Sequence, residues 1–128
     1  MSQKWIYKLN GVDDWTLGTT GYFWTPARED GVGDIILRKD GLGAGEPRWD
    51  EGDEVVAYDM DLGQCVAITE VASQTTWDEV EGAWGFDLRI TRANAAGGPS
   101  PADVGIAITQ GSRARLTQAQ FDAVRSAL

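Results

Sequence analysis

Histidine is absent from this sequence, and cysteine occurs once, as Cys65. Without histidine the chain cannot build the Ser-His-Asp or Cys-His arrangements that activate nucleophiles. A single cysteine forms no intrachain disulfide and cannot supply the nitrogen and sulfur ligands of a zinc site. No pair among the carboxylates, lysines and tyrosines stands out by its spacing. We therefore predict a protein that is not an enzyme and that uses no metal or other cofactor.

Long apolar runs are also lacking. No stretch is apolar and long enough to span a bilayer, and the first ten residues lack the apolar core of a signal peptide. We therefore expect a cytoplasmic protein that has no membrane partner. The 128 residues are enough for one domain, residues 1–128, whose core needs no metal or disulfide.

Basic residues are scarce, with 11 Lys and Arg against 20 Asp and Glu and a net charge of −9. Phosphate binding depends on Lys and Arg that displace counterions, so nucleic acid would be repelled by the chain as a whole. A nucleic-acid role requires a local basic face or a partner subunit. Candidates for contacts with a nucleic-acid backbone are Arg38, Lys39 and Arg89. The alternative is that these residues are scattered, solvated charges.

The patterns that are present indicate strands. Residues 4–9 alternate between apolar and polar, and so do residues 84–91, where Trp84, Phe86, Leu88 and Ile90 share one face. Further strands are expected at residues 34–38, 54–58 and 65–71. The run around Cys65 indicates a small buried core residue. The segment that starts at Asp59 has the length of a hairpin turn capped by aspartates, which is a better interpretation than a calcium loop.

The C-terminus carries the clearest helix signal. Thr117 and Gln120 have the spacing of a capping box, and Leu116 and Phe121 have that of a hydrophobic staple. Ser100 and Pro101 predict one short helical turn, and residues 72–83 predict a polar loop. Several short strands with Gly-rich turns and one terminal helix favour a mainly β barrel or sandwich.

Six tryptophans are many for this length, and indole is costly to bury unless its N–H is paired. Trp5 and Phe86 are assigned to the core. The other candidates lie near predicted loops, where a planar ligand can be stacked. They are Trp24, Trp49, Tyr58, Trp77 and Trp84. The alternative is that these rings pack against the sheet.

Several features occur in the order seen in one family. An early tryptophan strand at residues 4–7 and the loop residue Trp24 precede a Gly52-Asp53 turn, which leads into the strand at 55–58. A hairpin, the Trp-led strand at 84–90 and a C-terminal helix follow. In this order the chain resembles an EVE domain of the PUA-like superfamily, whose relatives include ASCH and YTH domains. The resemblance covers nearly the whole chain.

The resemblance implies a β-barrel of five or six strands with a C-terminal helix. It also implies recognition of a modified nucleobase, with modified cytosine in DNA as the candidate, between aromatic walls. Bacterial members are often fused to nucleases, so an effector protein such as a nuclease is an implied partner. Carried over by position, Trp24 is one wall, Tyr58 and Asp59 lie near the pocket mouth, and Trp84 closes another side; Trp49 is a further candidate from its loop position.

A carboxylate such as that of Asp59 can accept a hydrogen bond from the exocyclic amine of cytosine. A second hypothesis is a protein-interaction or scaffold domain whose acidic face, residues 46–61, meets a basic partner. The two hypotheses predict different positions for the arginines. Arginines gathered around an aromatic pocket favour base recognition, whereas dispersed arginines and a filled pocket favour the scaffold.

Overall fold

The computed structural model describes residues 2–9, 17–18, 20–26, 49–59, 62–80, 83–94, 96–106 and 113–128. These residues form a mostly β, α+β domain with seven strands, one short 3-10 helix and a C-terminal α-helix. The elements in chain order are β1 (Lys4–Leu9), β2 (Thr20–Pro26), β3 (Glu54–Asp59), β4 (Gln64–Val71), β5 (Thr76–Asp78), β6 (Ala83–Ala93), the 3-10 helix (Pro101–Val104), β7 (Arg113–Leu116) and α1 (Gln118–Ala127).

The strands form one mixed sheet in the order β2-β6-β4-β3-β1-β7, and β5 pairs with β6 beside this path. All described pairs are antiparallel except β1 and β3, which run parallel. Within the described ranges no pairing joins β2 to β7. The mainly β class with a C-terminal helix is therefore confirmed, but the described sheet has seven strands and is not closed into the expected barrel.

Side-chain alternation gives the sheet two apolar faces. We call the first the aromatic core; it consists of Trp5, Tyr7, Trp49, Val55, Ala57, Val66, Ala67, Val71, Phe86, Leu88 and Ile90. We call the second the helix-side core; it consists of Ile6, Val56, Cys65, Ile68, Ile106, Leu116, Phe121 and Val124. The sequence pattern predicted the core positions of Trp5, Phe86 and Cys65, and all three are buried.

The Gly52-Asp53 turn anchors β1 to the sheet. Gly52 has a φ of 94°, which glycine adopts without steric cost, and its N–H donates to the carbonyl of Val71 at 2.8 Å. The buried Asp53 carboxyl accepts hydrogen bonds from the backbone N–H of Gln3 (2.9 Å), the backbone N–H of Asp50 (3.0 Å) and the indole N–H of Trp5 (3.1 Å). Because Asp53 directly precedes β3 and two of these donors come from β1 and the residue before it, this carboxyl fixes where β1 meets β3.

The helix signals in the sequence are confirmed. Thr117 accepts from the backbone N–H of Gln120 at 3.1 Å, and the Gln120 side chain accepts from the N–H of Thr117 at 2.9 Å. Leu116 and Phe121 are both buried at the start of α1. Ser100 caps the 3-10 helix, with Pro101 in its first turn. No helix within the described ranges is long and apolar enough to cross a membrane.

The strand predictions are confirmed for β1, β3, β4 and β6, and the predicted strand at 34–38 lies outside the described residues. Two other elements differ from expectation. The segment 72–83, expected to be a polar loop, contains β5, because three of its residues pair with the start of β6. Trp24, expected in a loop, belongs to β2.

Candidate ligand-binding site

A tryptophan pair marks the end of the sheet where β5 meets β6. Trp77 is the register partner of Trp84, and their rings meet edge to face with centroids 5.1 Å apart and an interplanar angle of 74°. Trp77 is 43% exposed, and Trp84 is partly buried. Exposure of a large indole beside a second one leaves an aromatic surface against which a flat molecule can stack.

Three buried hydrogen-bonding atoms in this region have no partner among the described residues. They are Nε1 of Trp49, Oγ1 of Thr75 and Nε1 of Trp84. Buried polar groups are nearly always paired, and leaving one unpaired costs about 1–3 kcal/mol. Each of these three atoms therefore retains an unused capacity for a hydrogen bond.

All three residues border Phe86. Trp84 is two residues before Phe86 on β6, so both face the same side of the strand. The Trp49 ring lies 4.9 Å from the Phe86 ring, centroid to centroid. Thr75 directly precedes β5, and Ser73 Oγ accepts from the N–H of Asp87 at 2.9 Å, so residues 73–76 run alongside residues 85–87.

Trp49, predicted as a ligand contact, lies within the aromatic core and is 4% exposed. Its ring meets Tyr7 at 5.4 Å and Trp5 at 6.1 Å, centroid to centroid, in edge-to-face arrangements. The Trp49 ring is therefore enclosed by other rings and has almost no exposed surface for stacking. What this residue still offers is its indole N–H rather than a stacking surface.

Tyr58 and Asp59, both predicted as ligand contacts, do not lie with Trp49, Thr75 and Trp84. Tyr58 is partly buried and packs against the helix-side core, on the other face of the sheet from Trp49. Asp59 is buried and caps the β3–β4 turn: its carboxyl accepts from the N–H of Leu62 at 3.2 Å, and its carbonyl accepts from the N–H of Gly63 at 2.8 Å. The turn capped by an aspartate that the sequence indicated is therefore present.

Of the remaining predicted contacts, Trp24 is described only through its backbone. It pairs with Gly85, and its neighbour Thr25 pairs with Trp84, so β2 lies beside the tryptophan pair. The Trp24 side chain lies outside the described part of the structure, as do Arg38 and Lys39 entirely. The roles of all three residues therefore stay predictions from the sequence.

Arg89 is exposed and lies on the opposite side of β6 from Trp84 and Phe86. Its guanidinium pairs with Glu70 at 2.9 Å. Arg115, in contrast, is placed by β7 opposite Trp5, with its guanidinium 5.4 Å from the ring centroid. The structure thus brings Arg115 rather than Arg89 to the aromatic side of the sheet.

Sequence reasoning missed the contribution of Thr75. Its hydroxyl matters here because it is buried without a partner, and no sequence pattern signals that property. For Arg115 a weak signal existed, since an Arg-Ala-Arg-Leu run alternates as an edge strand does. Trp77 was noted as a loop aromatic, but its pairing with Trp84 depends on β5, which the pattern did not predict.

Comparisons with known proteins give a fold likeness and no family. No family model and no curated protein matches the chain. A solved structure with a similar fold is the X-ray crystal structure of protein Atu2648 from Agrobacterium tumefaciens, a structural-genomics target. The match has a TM-score of 0.58 at 17% sequence identity and covers 98% of this chain and 92% of that one. At this identity, the likeness shows that the two chains share a fold.

Proposed function

We propose that this domain is a non-catalytic module that binds a modified nucleobase, with modified cytosine as the candidate, against the Trp77–Trp84 pair. The observation that carries the proposal is an exposed indole packed edge to face on a second indole whose buried N–H is unpaired. A base that leaves its stack regains about 1–3 kcal/mol by stacking on an aromatic side chain. The EVE-like order of sequence motifs supports the same ligand class.

The charges favour contacts to the base over contacts to phosphates. Of the described basic side chains, Lys4 pairs with Glu54, Arg89 with Glu70 and Arg125 with Asp122. These ion pairs reduce the free positive charge of the described residues, and the net charge of −9 further disfavours contacts to phosphates. We therefore propose weakly salt-dependent binding of a single flipped or unpaired base, in a cytoplasmic protein that acts with an effector such as a nuclease on another chain.

The scaffold hypothesis is less well supported by the described acidic residues. Within residues 46–61, Asp53 and Asp59 are buried and accept hydrogen bonds from this chain, and Glu54 pairs with Lys4. Asp50 and Glu51 are exposed. Acidic groups that already stabilise the fold offer little charge to a basic partner.

The test is a fluorescence titration with single-stranded DNA oligonucleotides that carry either cytosine or 5-methylcytosine at one position, at low and moderate salt. We expect tighter binding of the modified oligonucleotide. Trp77→Ala should weaken it about tenfold or more, because a stacking surface is lost. The slope of log affinity against log salt should be about −1.4 or shallower, as for two or fewer phosphate contacts.

Leu62→Ala is the matched control, because Leu62 is also exposed, at 54%, but lies in the β3–β4 turn away from the tryptophan pair. It should bind like the wild type. Equal affinity of Trp77→Ala and wild type, or no preference for the modified base, would contradict the proposal. Trp24→Ala tests separately whether the wall implied by the family resemblance contributes.

A further inference from the structure

The unpaired atoms around Phe86 share a chemical character. Both indole N–H groups can only donate a hydrogen bond, and the threonine hydroxyl can donate as well as accept. Trp49 is 4% exposed, so its donor lies at the buried end of the group, whereas Trp84 packs against the exposed Trp77. The buried donors are therefore distributed from the aromatic core to the residue that packs against the exposed Trp77.

We propose that Thr75, Trp84 and Trp49 form a donor subsite that selects the acceptor-rich edge of the ligand, such as the adjacent carbonyl oxygen and ring nitrogen of a cytosine. This inference rests on the proposed function and deepens it. An amine turned toward the two indoles would set N–H against N–H and leave both unpaired, whereas the Thr75 hydroxyl can adapt to either edge. An acceptor edge satisfies groups that have no partner among the described residues.

In the donor subsite the protein donates hydrogen bonds to the base, whereas the sequence suggested that the Asp59 carboxylate accepts one from the base. A carboxylate would have accepted from the exocyclic amine, but the Asp59 carboxyl accepts from Leu62 in the β3–β4 turn. A site that hydrogen-bonds a ligand discriminates strongly against an analogue that lacks the matching atom, because its own buried group then loses its partner. The donor subsite is therefore a specificity element, distinct from the stacking surface of Trp77.

The test compares two single-stranded oligonucleotides, one with 5-methylcytosine and one with its 3-deaza analogue, in which C–H replaces the ring nitrogen acceptor. Thr75→Val and Trp84→Phe each remove one donor and keep an apolar side chain in place. We expect each variant to bind the 5-methylcytosine oligonucleotide about tenfold more weakly than wild type. The wild type should bind the deaza analogue about tenfold more weakly than it binds the 5-methylcytosine oligonucleotide. At least one variant should bind the two oligonucleotides with equal affinity.

A measurement without ligand checks that the donors are unpaired within the protein. Thr75→Val should leave the Tm unchanged or raise it. Thr69→Val is the matched control, because Thr69 is buried and its hydroxyl donates to the carbonyl of Val55 at 2.8 Å. That variant should lower the Tm. If Thr75→Val lowers the Tm as much, its hydroxyl is paired inside the protein and the subsite is refuted.

The outcomes separate the two proposals. If wild type binds the 5-methylcytosine oligonucleotide and both donor variants bind it within about twofold of wild type, the donor subsite is wrong and the stacking proposal stands. If wild type binds neither oligonucleotide, both proposals fail together. Both proposals are supported if the variants bind the 5-methylcytosine oligonucleotide about tenfold more weakly than wild type but bind the deaza analogue as wild type does.

Discussion

Buried polar side chains in this domain differ in whether the chain itself satisfies them. Thr69 and Trp5 donate to Val55 and Asp53, so their polar atoms are paired within the protein. Thr75 and Trp84 have no such partner among the described residues. Residues of the same type are thus paired within the protein in one place and without a described partner in another. The difference is set by position in the sheet rather than by residue identity.

Cys65 gives a prediction that depends on pH. Burial raises the pKa of its thiol from 9.0 to about 12, because the thiolate would be desolvated. Above pH 9 the unfolded chain releases this proton while the folded chain retains it, so this contribution to stability is present below pH 9 and is lost between pH 9 and 12. The loss is about 1.4 kcal/mol per pH unit over that window.

The measurement is the free energy of unfolding of wild type and Cys65→Ala at pH 8 and pH 10. From pH 8 to pH 10 the wild type should lose about 1.4 kcal/mol more stability than the variant, because the two proteins differ only in the thiol. A difference that does not change with pH would show that the thiol is not desolvated.

Sequence alone was sufficient for residues whose burial follows from a pattern. Cys65 lies in an apolar strand and Phe86 on the apolar side of an alternating one, and both are fully buried. The sequence was insufficient to assign Trp49 and Tyr58 to a face of the sheet, because both lie near predicted loops. Their separation onto two faces depends on which strands become neighbours, and that information is not local.

At the level of the strands, the Asp53 side chain links β1 to the turn that precedes β3. Asp53→Ala would leave the Trp5 indole and two backbone N–H groups without their acceptor, so we expect a loss of about 3 kcal/mol or more in the free energy of unfolding. Denaturant unfolding followed by tryptophan fluorescence measures it.

Asp50→Ala is the control for this change. Asp50 is exposed, and its described hydrogen bonds come from its backbone, which the substitution keeps. Its free energy of unfolding should stay within about 0.5 kcal/mol of wild type. Similar losses in the two variants would mean that the Asp53 carboxyl does not anchor β1.

The predictable elements were those with long or doubly marked patterns. β6 alternates over many residues, and α1 carries both a capping box and a hydrophobic staple. β5 has three residues and β7 has four, which is too short for periodicity to be distinguished from a polar loop. Both become strands because a longer neighbour, β6 or β1, offers them hydrogen bonds.

For the domain as a whole, composition and pattern predicted the mainly β class and the C-terminal helix, but not the order of the strands. The expected barrel came from the family resemblance, whereas the described strands form an open path from β2 to β7. Closure depends on which strands meet at the ends of the sheet. No local pattern in β2 or β7 encodes that partner.

The place of β1 in the sheet has a consequence for how the chain folds. β1 lies between β3 and β7, so residues 4–7 form a ladder with residues 113–116, and Ile6 shares a core with Phe121 and Val124. Such pairings give a high contact order, which slows folding. During synthesis on the ribosome, one edge of β1 therefore has no hydrogen-bonding partner until residues 113–116 have been made.

Pulse-labelled hydrogen exchange during refolding tests this: amides of β1 and β7 should gain protection together and late, after the β3–β4 hairpin. Early protection of β1 would show instead that its parallel contact with β3 forms independently. A nascent chain with an unpaired apolar edge is a target for chaperones and for self-association. We therefore expect expression yield to fall sharply in variants that weaken β7, even though β4, β3 and β1 separate β7 from β6 and the Trp77–Trp84 pair.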